Sequence, residues 1–346
     1  WADHVDQLYF CCPIWETDRG LLVSRINFKT ANPIRLIEFE VTSFRKMLQS
    51  LYAIIVNLIR IFNAMKEADH IHLRCPGNIG LLGCIVQIFF PNKHKTAKYA
   101  GNWDPKAKQP LTYKLQRWIL SNTFLTRNMQ VLVYGEWANQ SRNIKPFFSA
   151  TYSEKEYQVN VLPRSFTGAF TFLFVGTLSE GKQPLYTVQV VEKLRSRGWD
   201  VVLELCGEGK ERSRLERYVT NKGLEAFVFL SGNQPKDIIK KHYQQCHFLV
   251  LPSKSEGWPK VVAEAMFWGC VPLASAVSCV PDMLGNGTRG FLLEMDLEKD
   301  VLQIEALMND SESFTRISEK GLSWSRNYTT EFFEAEIRSL VTVGNK

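Results

Sequence analysis

Two carboxylates beside the start of one predicted helix, in the second half of the chain, are the side chains best placed for chemistry. Glu256 lies in a loop after an apolar strand, and Glu264 lies about a turn and a half into the helix that follows. Pro259 suits the first helical position, so free backbone N–H groups around residues 260–262 would point at an anion. Because a carboxylate accepts paired hydrogen bonds, each glutamate suits vicinal hydroxyls. The pattern indicates a site for a ligand that carries both phosphate and hydroxyl groups.

The elements that must position these residues alternate between strands and helices. Apolar runs predict strands at 8–14, 70–73, 96–99, 131–134, 171–175, 201–206, 228–231, 248–251 and 271–274. Helical periodicity predicts helices at 43–68, 79–89, 112–121, 185–197, 212–222, 237–245 and 259–268. Strict alternation of this kind predicts parallel sheets that are covered on both faces by helices.

A polar stretch at 136–167 separates two such α/β halves. It predicts a domain boundary near 165, with an N-terminal domain at 1–165 and a C-terminal domain at 166–328. An amphipathic pattern at 330–343 predicts a helix in the last segment, 329–346, which we expect to cross back to the first domain. Ligands of open parallel sheets lie outside the carboxyl ends of the strands, so a cleft between the two domains is the expected site.

Charge is distributed unevenly between the halves. The chain has 346 residues and a formal net charge of +7, with +9 in residues 1–165 and −2 in residues 166–346. A basic half suits an anionic partner such as a membrane surface, a lipid phosphate or an acidic glycan, although a solvated surface rich in lysine explains it equally well. Nucleic acid is not an expected partner.

The cysteines and acidic residues show no spacing typical of a metal site. The eight cysteines are adjacent at 11 and 12 or embedded in apolar segments, which predicts free thiols in a reducing, cytoplasmic compartment. Asp296 and Glu298 read as the start of an ordinary helix. No stretch reaches the ~18 apolar residues that a spanning helix needs. We therefore expect no metal, no cofactor and no membrane span. The basic first half is compatible with peripheral binding to the cytoplasmic face of a membrane.

The setting of the two glutamates is more specific than their spacing. The segment 248–275 places Pro-Ser-x-Ser-Glu-Gly before the helix, Glu-Ala-Met inside it and Gly-Cys-Val-Pro after it. This frame resembles family 4 glycosyltransferases, the large retaining group with the GT-B fold. Further segments of the second half resemble other parts of the family pattern. Residues 174–178 with Lys182 resemble its phosphate-binding turn, and 205–209 resemble its second strand and Gly-x-Gly turn. Residues 229–232 resemble the strand beside the nucleobase, and 280–282 and 290–293 resemble the closing segment.

The resemblance implies a role for each matching residue. Glu264 would bind the ribose hydroxyls, Glu256 would contact the transferred sugar, and Lys182 would neutralise the diphosphate leaving group. Glu256 and Lys182 would thus be the catalytic residues, since charge develops on the diphosphate as the glycosidic bond breaks. The implied donor site also contains Gly176, Thr177, Gly207, Ser231, Gly232, Gly257, Trp258, Pro259, Lys260 and Val261.

The chain departs from the family pattern in three places. Thr177 stands where the family commonly has an arginine, so the phosphate grip would depend more on Lys182 and backbone N–H groups. Asn102 stands where many members have a histidine that faces the donor sugar. The family's first strand and glycine-rich loop are not recognisable, so the first domain is expected to lack them and acceptor contacts cannot be assigned. Candidates for sugar or acceptor contacts in this half are Asn102, Trp103, His72 and Arg74, each of which has an equally ordinary reading as a turn, core or strand residue.

Together these features predict a GT-B protein with two Rossmann-like domains whose parallel sheets face an interdomain cleft. The expected activity is retaining transfer of a hexose or N-acetylhexosamine from a nucleotide sugar, UDP-linked by resemblance, to a glycan, lipid-linked or small acceptor, as in polysaccharide biosynthesis. A UDP-sugar epimerase of the same architecture and a non-catalytic nucleotide-sugar-binding module are the alternatives. A dinucleotide-dependent oxidoreductase is disfavoured, because Arg212 occupies the place of the third glycine in that fingerprint.

Overall fold

The computed structural model describes residues 4–16, 33–40, 43–158, 161 and 163–342. The chain divides into two compact units, one formed by 1–147 with 334–346 and the other by 148–333. The sequence placed the boundary near 165, but residues 148–165 belong to the second unit. The reason is that their side chains are tied to it: Arg164 donates to the carbonyl oxygens of Tyr243 and Trp268, both at 2.8 Å, and the Tyr152 ring packs on Trp268 at 5.3 Å.

The first unit is built on a four-stranded parallel sheet in the order β3-β4-β5-β6, with a separate parallel pair β1-β2. Its strands are β1 (Cys11–Cys12), β2 (Ile34–Arg35), β3 (His70–Cys75), β4 (His94–Tyr99), β5 (Met129–Tyr134) and β6 (Ile144–Phe147). Its helices are α1 (Phe44–Gln49), α2 (Leu51–Glu67), α3 (Asn78–Val86), which continues as a 3₁₀ turn Gln87–Phe89, and α4 (Leu111–Ser121).

The strand predicted at 8–14 is limited to Cys11–Cys12, and two further predictions in this unit were inaccurate. The single helix predicted at 43–68 is broken at Ser50, whose hydroxyl donates to the carbonyl oxygen of Glu40 at 3.2 Å and accepts from its N–H at 3.3 Å. Local side-chain to backbone bonds of this kind compete with a continuous helix. Strand β6 was read as linker, because Lys145 and Pro146 interrupt its apolar pattern.

The second unit contains a six-stranded parallel sheet in the order β12-β11-β10-β7-β8-β9. Its strands are β7 (Phe170–Val175), β8 (Val201–Cys206), β9 (Val228–Gly232), β10 (Phe248–Leu251), β11 (Val271–Ser275) and β12 (Phe291–Leu293). Its helices are α5 (Pro184–Ser196), α6 (Arg212–Asn221), α7 (Lys236–Gln245), α8 (Lys260–Phe267), α9 (Val280–Met283), α10 (Leu297–Met308) and α11 (Ser311–Ser325); short 3₁₀ turns lie at Glu154–Gln158 and Gly285–Gly287.

The order of the strands determines where this sheet can bind a ligand. Strand β7 lies at the centre, with β10 on one side and β8 on the other, so the connections leave it in opposite directions. At such a reversal the loops diverge and open a crevice at the carboxyl ends of the two strands. All residues of β10 and β11 are buried, as expected for a parallel sheet covered on both faces. A buried core around Phe172, Phe174 and Phe248 fixes these strands.

The last described helix, α12 (Thr330–Thr342), contributes to both units in turn. From Glu334 onward its residues cluster with the first unit, where Lys145 forms an ion pair with Glu336 at 2.6 Å. The final part of the predicted segment, 343–346, lies outside the described residues.

The state of the cysteines and the lack of a membrane-spanning helix among the described residues were both expected from the composition. All eight cysteines are free, which confirms that part of the prediction, and those at 11 and 12 are half-buried while the other six are buried. No helix in the described ranges combines the length and the apolarity that are needed to cross a membrane.

Candidate functional site

The loops that follow β7 and β10 meet at the crevice and carry two of the predicted catalytic residues. Lys182 ends the loop between β7 and α5, and Glu256 lies in the loop between β10 and α8. Their side chains form an ion pair, with the Lys182 Nζ 2.5 Å from the Glu256 Oε1. The Glu256 side chain keeps only 9% of its surface in solvent, against 29% for Lys182. A partly desolvated pair of this kind is stronger than an exposed one but leaves the ammonium reachable by a ligand.

Three further contacts hold the two loops together. The N–H of Lys254 donates to the Gly181 carbonyl oxygen at 2.8 Å, and the Gln183 side-chain amide donates to the Pro252 carbonyl oxygen at 2.6 Å. Lys254 also pairs with Glu180 at 2.7 Å, but both side chains are exposed. The backbone and amide contacts therefore fix the loops. The Lys254–Glu180 pair is, like Lys182–Glu256, a lysine–glutamate ion pair, but it is exposed to solvent.

The predicted glycines meet where the ends of β7, β8 and β9 lie side by side. Gly176 donates to the Cys206 carbonyl oxygen at 3.0 Å, and Gly207 donates to that of Gly232 at 2.8 Å. A Cβ on Gly207 would lie 1.9 Å from the Gly176 carbonyl oxygen, so no larger residue fits there. This close packing leaves backbone, without side chains, at the edge where a phosphate-bearing ligand could approach.

Helix α8 begins beside this crevice. Pro259 is its N-cap, one position before the first helical residue, Lys260, and it has no side-chain acceptor for the N–H groups of the first turn. Those groups, including that of Val261, carry the positive end of the helix dipole. Just before the helix, the Trp258 ring stacks on Trp324 with centroids 6.1 Å apart. Trp258 therefore has a packing role that the resemblance did not indicate.

The loop before α8 is anchored from its far side. The carbonyl oxygen of Gly257 accepts from the Ser278 hydroxyl at 3.2 Å and from the Cys279 thiol at 3.1 Å. Behind the same loop, the Ser275 hydroxyl donates to the carbonyl oxygen of Ser253 at 2.5 Å. These bonds hold the backbone that carries Glu256.

Glu264 lies about one turn after the first residue of α8, Lys260, and its neighbours differ from those of Glu256. Its Oε1 accepts from the Thr151 hydroxyl at 2.7 Å, and its Oε2 accepts from the Tyr243 hydroxyl at 3.1 Å. Burial, followed by the nearby Glu264 charge, raises the pKa of Tyr243, which keeps this hydroxyl protonated as a donor. A small cavity beside Glu264 is also lined by Lys260 and Tyr328. Each carboxylate oxygen retains an acceptor site for a ligand hydroxyl.

Two other predicted donor residues have local roles in the structure. The Ser231 hydroxyl donates to the carboxylate of Glu204 in β8, so it already has a protein partner. Thr177 is exposed and its carbonyl oxygen accepts from the N–H of Ser179 at 2.8 Å. Thr177 supplies no positive charge, and within the described residues Lys182 is the cation paired with Glu256.

The candidates in the first unit are mostly structural. Trp103 is 1% exposed, donates to Gln140 at 2.9 Å and packs edge-on against Tyr99, so it is a core residue and not a platform for a sugar. The Asn102 side chain accepts from the N–H of Asp104 at 2.9 Å in a tight turn.

The two strand residues in this group lie on one face of β3. The ring of His72 bonds to the Thr96 hydroxyl at 2.9 Å, and Arg74, two residues further, is exposed. Loss of solvation, with a smaller contribution from neighbouring positive charges, lowers the pKa of His72 to about 3. The ring is therefore neutral at pH 7 even though part of it reaches solvent.

Sequence reasoning missed the residues that hold Glu264. Thr151 lies in the stretch read as linker, 113 positions before its partner, and Tyr243 reads as an ordinary buried helix residue. Neither belongs to a motif, and no local pattern could have identified these long-range contacts.

Known proteins match this chain mainly in its second unit. Residues 163–324 match the family model of glycosyl transferases group 1. An uncharacterized glycosyltransferase of Methanocaldococcus jannaschii is 27% identical over 166 residues, which cover 47% of this chain and 46% of that protein. The alpha-D-kanosaminyltransferase of Streptomyces kanamyceticus is 26% identical over 148 residues, 42% and 38% of the two chains. The chain spans about half the length of the curated relatives it matches.

Solved structures extend the comparison to the first unit. The Anabaena HepE structure in complex with UDP and glucose has a TM-score of 0.67 at 14% identity, covering 90% of this chain and 86% of that one. The predicted GT-B fold with two Rossmann-like domains is thus confirmed. Residues 163–324, which lie in the second unit, are thus similar to group 1 glycosyltransferases.

Proposed function

We propose that this protein is a family 4 retaining glycosyltransferase that moves a hexose or N-acetylhexosamine from a UDP-sugar to a glycan, lipid-linked or small acceptor. The observation that carries the proposal is the Lys182–Glu256 pair at the strand-order reversal of a group 1 glycosyltransferase domain. The pair combines a cation for a diphosphate and a carboxylate for a sugar at one point.

Donor binding rearranges the charges of this pair. The diphosphate carries more negative charge than one carboxylate, so the Lys182 ammonium turns from Glu256 to the phosphate oxygens. Glu256 then accepts hydrogen bonds from hydroxyls of the sugar. The first-turn N–H groups of α8 and the glycine backbones at the ends of β7 and β8 donate to the remaining phosphate oxygens. Positive charge from Lys182 and these donors replaces a metal in the proposed mechanism.

Glu264 fits the other end of the donor. Thr151 and Tyr243 fix both of its oxygens before any ligand arrives, so little side-chain freedom is lost when a ribose binds. Two vicinal ribose hydroxyls match the acceptor sites that the two oxygens retain.

Retention is carried over from the resemblance to family 4 glycosyltransferases, and we propose a same-face transfer for this chain. The bond from the anomeric carbon to the diphosphate oxygen breaks while the acceptor oxygen bonds to the same face of that carbon. The acceptor proton passes to the departing phosphate oxygen. Lys182 stabilises the negative charge that grows on the diphosphate, which is where a fixed cation lowers the barrier most.

The choice of UDP rests on fold-level similarity. The Anabaena neighbour is described with UDP and glucose, and this supports a uridine donor for the present chain by analogy. A panel of UDP- and GDP-sugars examined by ligand-observed NMR tests this directly. We expect saturation transfer to UDP-sugars that UDP displaces. Equal response to GDP-sugars would contradict the donor assignment, and no response to any nucleotide sugar would contradict the function.

A matched pair of variants makes the same assay specific for the site. Lys182→Ala removes the partly desolvated ion pair, whereas Lys254→Ala removes the exposed pair that links the same two loops. Only the first should weaken donor binding.

Conversion of a UDP-sugar to its epimer without transfer would favour the epimerase alternative instead.

An apolar face on α2 favours a second role, peripheral contact with an anionic membrane. Large apolar side chains at helical spacing are at least half exposed on one face; they are Leu51, Tyr52, Ile55 and Ile59. The opposite face is buried through Ala53, Asn57, Ile61 and Met65. Arg60 on α2 and Arg45 on the preceding helix α1 are exposed, within a half that carries +9. Apolar stripes with flanking cations suit the interface of anionic lipids.

Co-sedimentation with vesicles tests this role. We expect binding to vesicles that contain phosphatidylglycerol, little binding to neutral phosphatidylcholine vesicles, and loss of binding in an Ile55→Asp, Ile59→Asp double variant. Unchanged sedimentation of that variant would contradict membrane contact through α2.

A further inference from the structure

Strand β8 carries a carboxylate in an unusual place. Glu204 is half-buried between Leu203 and Leu205, in the strand between β7 and β9. Its protein partner is the Ser231 hydroxyl, and within the described residues no lysine or arginine forms an ion pair with it. A carboxylate removed from water is costly unless a positive charge or several donors compensate it. The Ser231 hydroxyl is a single donor, so the carboxylate retains acceptor positions for a further partner.

Two further metal-ligating groups surround the same point. Cys206 is two residues after Glu204 and therefore projects from the same face of β8, and His242 reaches it from the last turn of α7. A carboxylate oxygen, the Cys206 sulfur and an imidazole nitrogen all lie within 4.8 Å of one another. In the described part of the chain this is the one cluster of at least three such side chains.

From this convergence we propose that Glu204, Cys206 and His242 form a zinc site. Zinc combines carboxylate, imidazole and thiolate ligands, whereas magnesium and calcium prefer oxygen alone. Zinc–ligand bonds of about 2.0–2.3 Å place tetrahedral ligands roughly 3.6 Å apart, so the three atoms must close by about 1 Å around an ion. Glu204 and His242 are half-buried, and we expect their side chains to supply this movement. Water completes the fourth position.

The ion would fasten parts of the fold that lie next to the donor site. Cys206 is the residue directly before Gly207, and Ser231 directly precedes Gly232, whose carbonyl oxygen accepts from Gly207. A zinc bond from β8 to α7 therefore fixes the strand ends that carry both glycine turns. On binding, the Cys206 thiol releases its proton to solvent and the sulfur coordinates as thiolate. The site is structural and is independent of the transfer chemistry proposed above.

Cobalt substitution tests the proposal, because a thiolate–cobalt bond produces a charge-transfer absorption in the near ultraviolet. The whole chain is treated with chelator, titrated with Co²⁺ and then with Zn²⁺, and metal content is measured by mass spectrometry. We expect one ion per chain, the thiolate absorption with Co²⁺, and its loss when Zn²⁺ displaces the cobalt. Cys206→Ser should abolish the absorption. Cys12→Ser, which removes a half-buried thiol from the other unit, should leave it unchanged.

A second variant tests the proposal even if Cys206→Ser does not fold. His242 lies on a half-buried helical position, so His242→Gln should leave the helix intact. It should weaken zinc binding by more than the roughly 10–100-fold that loss of an outer-shell partner costs, and should remove the rise in thermal midpoint that Zn²⁺ causes in the parent chain. Less than one ion per chain, a thiolate absorption that survives Cys206→Ser, or unchanged zinc affinity in His242→Gln would each overturn the proposal.

Discussion

Glu256 and Glu264 lie eight residues apart in the sequence but in opposite chemical environments. Glu256 is paired with a charged group, Lys182, which a more highly charged ligand can draw away. Glu264 is held by two neutral hydroxyls, from Thr151 and Tyr243, which have no stronger partner to move to. One carboxylate is thus part of an ion pair that we propose opens when the donor binds, whereas the other is held in place before a ligand binds.

The difference indicates how one site can treat the two ends of a donor differently. Preset groups contribute binding energy to ground state and transition state alike, whereas groups that respond to developing charge lower the barrier itself. We therefore expect changes at the ion pair to act mainly on kcat and changes around Glu264 to act mainly on donor affinity.

Lys182→Ala should have the largest effect on turnover. Loss of one preorganised charge stabiliser typically lowers kcat by about 10²–10³-fold. Lys254→Ala, at the exposed pair of the same loops, should leave kcat within a few-fold of the parent. Steady-state kinetics of UDP release checks both variants. Equal losses in the two variants would show that turnover depends on the contact between the loops and not on the Lys182 ammonium.

Glu264→Ala should act on affinity. If the ribose bonds are made, the variant loses about 1–3 kcal/mol of donor binding, or roughly 5- to 150-fold in Kd. Isothermal titration with UDP measures this change, and Glu256→Gln is the comparison, because it should lower kcat more than it weakens UDP binding. Unchanged UDP affinity in Glu264→Ala would remove Glu264 from the donor site.

Thr151→Val should produce a smaller version of the same effect. It deletes the 2.7 Å bond to Glu264 and keeps the shape of the side chain. Loss of one hydrogen bond that presets the carboxylate should cost about 0.5–1.5 kcal/mol of UDP binding, roughly 2- to 13-fold in Kd, with kcat nearly unchanged. A fall in kcat without a change in Kd would contradict a purely positioning role for Thr151.

Tyr243→Phe should have the smallest effect on binding, since its bond to Glu264 is longer, at 3.1 Å, and Thr151 still holds the other oxygen. Its main consequence should be on folding, because the hydroxyl lies in a buried site. We expect the free energy of unfolding to fall by about 0.5–1.5 kcal/mol in urea titrations. A loss of UDP affinity larger than that of Thr151→Val would show that Tyr243, and not Thr151, orients Glu264.

How far the sequence predicts this molecule differs between its two units. In the second unit the strands at 201–206 and 248–251 were located to the residue. Each is a short apolar run, interrupted in the first by Glu204 alone, and each is followed directly by Gly207 or Pro252. In the first unit β2 has two residues and β6 contains a lysine and a proline, so neither carries a pattern that can be read locally.

The site shows the same limit. The pairing of Lys182 with Glu256 follows from the strand order, since adjacent parallel strands bring their carboxyl ends together, and motif order was enough to name both residues. Other features depend on contacts between segments that are distant in the sequence. They are the hydrogen bonds that hold Glu264, the core position of Trp103 and the cluster around Glu204. Such contacts are decided by tertiary packing and leave no periodic signal.

A crystal structure of the protein soaked with UDP tests the central claim most directly. The account predicts that the β-phosphate lies within hydrogen-bonding distance of the Lys182 ammonium, that the Lys182–Glu256 pair has opened, and that Glu264 still contacts Thr151 while it accepts from the ribose. A diphosphate bound elsewhere, with the Lys182–Glu256 pair intact, would contradict the account.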